Sequence, residues 1–379
     1  MSNIILVIAN VCSSFGMLRF LIVAWVLHIW GSIAYLAPGP DDAAFISQAM
    51  GFIYYGDLGT MYFERFQMYF LNFPGYAFFQ ALFYKAWVAM GLPLNFYTYK
   101  IFHLASITLL LIFSIKLILS LSPSDRHTGY FRSNLFLMFL GISPFVIDGL
   151  YPRPEPLGLL FVVLGMSFFQ IACSRSNFKG RYYVLSSLCL GTAMTMHPTF
   201  VVVAFGISAY AASHLLRTRR FLTLSQCLVG AVIPLLIFAF WLWWHAPEST
   251  NVLSEHIRQR SEDTGGTGRG IGMMFSFAMF QHPSSIAVKI YYGICYSTLL
   301  FALIWLLISI IRSITTTRFR NFSVTQIMNM FFALAAFTNI AISSTPRVQL
   351  FTVLGFAAVL AFSTLLNRPV SGKSDELQK

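Results

Sequence analysis

Runs of about 20 apolar residues, the length that crosses a hydrocarbon core, recur along this chain from residue 19 to residue 366. No stretch between them is long enough for a sizeable soluble domain. The spans expected from these runs are 19–37, 98–120, 134–149, 157–173, 183–197, 198–215, 226–245, 286–311, 326–343 and 347–366. A mean hydropathy of +0.70, with charged residues at only 10%, agrees. In lipid the backbone must satisfy its own hydrogen bonds, and long apolar runs do so as helices. The expected fold is therefore an all-α polytopic membrane protein of about ten transmembrane helices, forming one domain over 1–367.

The formal charge of +12 invites a nucleic-acid reading, but the basic residues lie in short loops between apolar runs. That is a positive-inside topology signal, and it excludes nucleic acid as the expected partner. The segment Phe73–Leu92 decides the parity. It is apolar, yet carries Pro74, Gly75, Gln80, Lys85 and Gly91. If it lies along the interface without crossing, then loops 121–133, 174–182, 216–225 and 312–325 share one side with the C-terminal tail. That side holds 14 of the 25 Lys and Arg and three carboxylates, Asp125, Asp375 and Glu376. The loop 38–97 is then expected on the outer side, with interfacial juxtamembrane helices. The other ten of the 13 carboxylates fall on that side too.

A second long outer loop, 246–285, contains Thr264-Gly-Gly-Thr-Gly-Arg-Gly-Ile-Gly272. It has neither Walker A nor dinucleotide spacing, and it reads as a lid. The five cysteines stand singly in or beside apolar segments, which argues for buried thiols and against a disulfide framework. Residues 1–16 lack an early basic region and a cleavage signal, so an uncleaved N-terminus is expected, as an extra membrane or interfacial segment or neither. The tail 368–379 is expected to be disordered and cytoplasmic.

In a chain so poor in carboxylates, adjacent Asp41 and Asp42 stand out in Ala37-Pro-Gly-Pro-Asp-Asp-Ala-Ala-Phe45. They open an amphipathic pattern with Phe45, Ala49, Phe52 and Ile53 on one face. Asp41 can be a helix N-cap, a general base, or both, because a cap residue is rigidly aimed. The turn Asp148-Gly-Leu-Tyr-Pro-Arg-Pro-Glu155-Pro156 gathers three prolines with Arg153 and Glu155. Its charges can pair structurally, or Glu155 can orient a substrate while Arg153 meets an anion. His197, in Met196-His197-Pro198, and Arg347, after Thr345-Pro346, mark two further outer turns. Arg258 and Arg260 lie in the 246–285 loop. Each is either structural or a partner for phosphate. No metal-ligand spacing is present, so neither a metal nor any other cofactor is implied.

These residues and this topology resemble the multi-spanning C-type (GT-C) glycosyltransferases that use polyprenyl-phosphate-linked sugars. Protein O-mannosyltransferases and the aminoarabinose transferases of lipid A are among them. The resemblance, over about 19–215, rests on a first helix followed by an outer acidic pair, Asp41-Asp42. Gly56 comes about 15 residues later, then the aromatic–Pro segment Asn72-Phe-Pro-Gly-Tyr76. Arg153-Pro-Glu155 stands where the family often has Arg-x-Asp. Met194-Thr-Met-His-Pro198 is similar to a family segment with Thr-Lys-Gly or Thr-Lys-Pro, although His197 replaces the lysine. The resemblance implies transfer, with inversion, from a polyprenyl-phosphate sugar donor to a lipid, glycan or protein acceptor. Asp41 would be the base, with Asp42 and Glu155 beside it. Arg153, His197, Arg258, Arg260 and Arg347 would face the donor phosphate. In a bacterium the site would face the periplasm from the inner membrane. Two other functions fit the same charges: a transporter or flippase for lipid-linked or small anionic solutes, and a non-catalytic membrane subunit.

Overall fold

The computed structural model describes residues 10–31, 40–55, 61–62, 65–66, 74–122, 125–148, 153–174, 179–244, 286–315, 322–342 and 348–366. The chain is an all-α bundle. Its helices are α1 (Phe15–Gly31), α2 (Pro40–Tyr55), α3 (Pro74–Ala89), α4 (Phe96–Ser120), α5 (Arg126–Gly141), α6 (Pro144–Asp148), α7 (Pro154–Ser174), α8 (Lys179–Met194), α9 (Thr199–Arg217), α10 (Phe221–Trp244), α11 (Ile286–Thr315), α12 (Val324–Ile342) and α13 (Val348–Leu365). A two-residue ladder, Met61–Tyr62 with Arg65–Phe66, is antiparallel. Each of the ten expected spans falls on a helix. Among the described residues six helices are long and apolar enough to cross a membrane: Tyr97–Ser120, Pro154–Ser174, Thr199–Arg217, Phe221–Phe240, Lys289–Ile311 and Val324–Ala341.

Two boundaries differ most from expectation. The run 134–149 is two elements, because Ser143 and Pro144 break it. Ser143 bonds back to the Leu140 carbonyl, and Pro144 starts α6. The helix before that break begins earlier than expected, at Arg126, because Asp125 accepts the Thr128 amide at 3.1 Å and caps it. Pro40 opens α2, where its missing N–H costs nothing, and Asp41 and Asp42 follow within the first turn.

Antiparallel neighbours fix the two ends of the bundle. Tyr183 near the start of α8 meets Phe169 near the end of α7, with ring centroids 5.4 Å apart, and Ser186 donates to the Gly165 carbonyl at 2.7 Å. Arg181 therefore lies at the end opposite Glu155. The α5–α13 and α12–α13 contacts continue the core, where Phe136, Phe332, Phe351 and Phe356 are fully buried. At the Arg181 end, Arg132 locks the α13 terminus by donating to the Leu366 carbonyl at 2.8 Å.

The turn between α9 and α10 uses an arginine where glycine is usual. Arg219 has φ 55, Arg220 donates to the Leu215 carbonyl at 2.9 Å and Arg219 to the Leu216 carbonyl at 3.0 Å. This is the Schellman pattern, whose left-handed residue carries a steric cost for any L side chain. Arg219→Gly is expected to raise unfolding stability by up to ~1 kcal/mol, part of the gain being offset by glycine's larger unfolded-state freedom. Thermal unfolding in detergent checks this; a lower melting temperature would mean that the guanidinium contributes more than the strain removes.

Candidate functional site

At the Glu155 end, α3 packs on the ends of α4, α7 and α8, and α2 packs on α3. Capping explains where α4 begins: the Asn95 side chain accepts the Tyr97 amide at 2.9 Å, and Thr98 Oγ1 accepts the Asn95 amide at 3.1 Å. The α2 residue Phe45 packs edge-on to Tyr76 of α3 at 5.2 Å, and Tyr76 packs on Phe102 of α4 at 5.6 Å. Phe79 reaches Phe161 in the second turn of α7 at 5.2 Å. Gly75 donates its N–H to the Thr195 carbonyl at 3.0 Å, just past the end of α8. These α3 contacts all fall within about two turns of the neighbouring helix ends, so α3 sits at one end of the bundle. Asp41 and Asp42 stand one turn before Phe45 in α2.

Glu155, in the first turn of α7, is 2% exposed, and Arg153 just before it is half-buried. A carboxylate beside positive helix-end amides is favourably placed. One turn on, Gly158 allows Phe200 of α9 to approach so closely that a Cβ there would collide with its ring. The starts of α7 and α9 are thereby held together, with His197 three residues before Phe200. His197 Nδ1 accepts the Thr199 amide at 3.3 Å and lies 2.9 Å from Thr199 Oγ1, just ahead of α9, whose N-cap is Pro198. Arg258, Arg260 and Arg347, the 246–285 loop and the 368–379 tail lie outside the described residues.

Sequence reasoning passed over the polar lining of this end. Lys100 (4% exposed) and His103 (1%) are buried in the first two turns of α4, near buried Thr98, Tyr99 and Ser106. Beside them Gln80 donates to the Tyr84 hydroxyl at 2.9 Å, and burial holds the Tyr84 phenol well above its usual range, neutral at any physiological pH. The signal was available in the spacing: a lysine and a histidine three apart, at the start of a long span, share a helix face.

A cavity of about 330 Å³ adjoins this end, between α3, α8 and α10. Its walls include Phe52, Phe78, Ile233, Pro234 and Ile237, with Thr192 and Thr195 as polar groups. Pro234 removes one helical hydrogen bond from α10 at this level. Ile237 is 66% exposed, so the cavity opens sideways, toward where lipid would lie.

No protein-family model and no curated protein matches the sequence. Among solved structures the fold is similar to that of ArnT from Cupriavidus metallidurans. The likeness extends to its complex with undecaprenyl phosphate (TM-score 0.60) and to its apo state (0.59), at 15% identity and over 95% of this chain. The chain spans 62% and 61% of the length of the ArnT chain in those two structures.

Proposed function

We propose that this chain is a membrane glycosyltransferase of the GT-C type, taking a sugar from a polyprenyl-phosphate donor at the Glu155 end of the bundle. The observation that carries the reading is a coincidence of place. In a fold like that of a protein crystallised with undecaprenyl phosphate, one end carries an acidic helix start, buried Glu155, and the basic residues Lys100 and Arg153, next to a side-opening cavity. Asp41 takes the proton of the acceptor hydroxyl or amine. The acceptor atom bonds to the anomeric carbon from the face opposite the phosphate, so configuration inverts. The carbon–oxygen bond to phosphate breaks, its electron pair leaving with polyprenyl phosphate. Charge that grows on the leaving oxygen calls for fixed positive groups and donors in a dry site; Lys100, Arg153 and His197 are suited to it, with Arg258, Arg260 and Arg347 as further candidates. Asp42 and Glu155 orient the sugar or acceptor. The site then faces the exterior, the periplasm in a bacterium, since the arginine-rich turns lie at the other end.

The test is to incubate purified protein in lipid discs with a panel of labelled polyprenyl-phosphate sugars and a membrane extract as acceptor. Labelled product together with free polyprenyl phosphate is expected for one donor. Intact donor recovered on the opposite leaflet, with no bond cleaved, would make the chain a flippase instead.

A further inference from the structure

At the Arg181 end, the same pair of helices that borders the catalytic-end cavity opens into a second, larger one of about 730 Å³. Between the two, α8 and α10 touch closely. Gly230 leaves room for Ser187, whose hydroxyl would be 2.5 Å from a Cβ there, and Gly191 takes the Ala231 backbone in the same way. Toward Arg181 the helices stay in contact, with Gln226 Oε1 3.7 Å from where a Cβ on Gly180 would lie, and the cavity is the groove, or wedge, that their surfaces leave between them. One wall is apolar, with Val184, Leu185, Val229 and Ile233; the mouth carries Arg181, Ser225 and Gln226. Val229 is 61% exposed, so the wedge opens to the bilayer side.

We infer that this wedge binds an anionic diacyl phospholipid from the leaflet at the Arg181 end. Its phosphate meets the Arg181 guanidinium and the Gln226 amide, and an acyl chain lies between Val184, Leu185 and Val229. Three observations favour a lipid with negative charge over a neutral one. The cleft is amphipathic along its length, polar only at the bundle end. The nearest charged turns are cationic, with Arg217, Arg219 and Arg220 between α9 and α10. The charged side chain lining the cleft is an arginine, whose planar fork suits phosphate oxygens. The wedge also shares Ile233 with the cavity at the Glu155 end, so a lipid seated here would brace α10, which packs mainly on α8. This inference stands independently of the transferase reading, because it needs neither a sugar donor nor turnover.

Binding to the full chain in neutral detergent can be followed by native mass spectrometry with dioleoyl phosphatidylglycerol, dioleoyl phosphatidylcholine and inorganic phosphate as separate probes. Phosphatidylglycerol is expected to bind most tightly and to raise the melting temperature. Arg181→Gln should weaken its binding about fivefold, the effect of one basic residue near a lipid surface. Val229→Trp, which blocks the acyl wall at an exposed position and leaves the charge intact, should weaken both lipids alike. Equal binding of the two lipids by wild type, or phosphatidylglycerol binding that both variants leave unchanged, would overturn the assignment. Inorganic phosphate protecting as well as the lipid would reduce the site to a plain anion site and overturn it too.

Discussion

Asp41→Asn is expected to lower sugar transfer by about 10²–10⁴-fold while leaving donor binding and folding intact. Asparagine keeps the size and polarity of the side chain, so the first turn of α2 should still form behind Pro40. What it loses is the ability to accept a proton as the acceptor attacks. The effect should therefore fall on kcat, with KM for the donor little changed. Asp42→Asn is the internal comparison: it removes the same charge from the same helix start, one residue on. If Asp41 is the base, Asp42→Asn should cost much less. Equal losses from the two variants would point to a general requirement for negative charge at the α2 start. A fully active Asp41→Asn would remove the base assignment altogether. Measuring bound undecaprenyl phosphate in parallel separates a chemical defect from a binding one.

The helices were legible because length and apolarity suffice to mark a span, and Pro74, Gly75 and the loop charges set α3 apart from the long spans. The break at Ser143-Pro144 was visible as a proline but hidden by the apolar residues on both sides, which read as one run. Asp41 and Asp42 stood out by scarcity alone. Lys100 and His103 did not, because the largely apolar stretch Leu104–Leu119 after them dominates any window that contains them. Convergence was the least legible property. That Glu155, the His197 turn, Lys100 and the α2 start share one end follows from antiparallel packing and from contacts such as Gly158 with Phe200 and Gly75 with Thr195. Those contacts join residues tens of positions apart, and no local pattern announces them.

Gly75→Val should undock α3 and, with it, the cavity that α3 borders. A Cβ at Gly75 would lie 2.5 Å from Thr195 Oγ1 and 2.6 Å from the Thr195 carbonyl oxygen. The hydroxyl could rotate away, but the carbonyl belongs to the turn that leads from α8 into α9, and His197 stands two residues beyond it. The strand of contacts Gly75–Thr195, Tyr76–Phe102 and Phe79–Phe161 must then shift as a unit. Forcing bulk into such a contact costs about 1–3 kcal/mol, and the lost Gly75 N–H bond adds about 1 kcal/mol. A bundle whose main core lies elsewhere, around Phe136, Phe332 and Phe356, should survive that loss. Function should suffer more: displacing a substrate wall by about 1 Å can cost on the order of 10² in rate. Weaker undecaprenyl-phosphate binding is expected alongside, since Gly75, Phe78 and Phe79 line the side-opening cavity. Gly16→Ala serves as the control, because a Cβ there meets nothing within 4 Å and alanine favours the helix. If Gly75→Val retains wild-type binding and transfer, the docking of α3 on the α8–α9 turn is not what shapes the site, and the lipid must enter elsewhere.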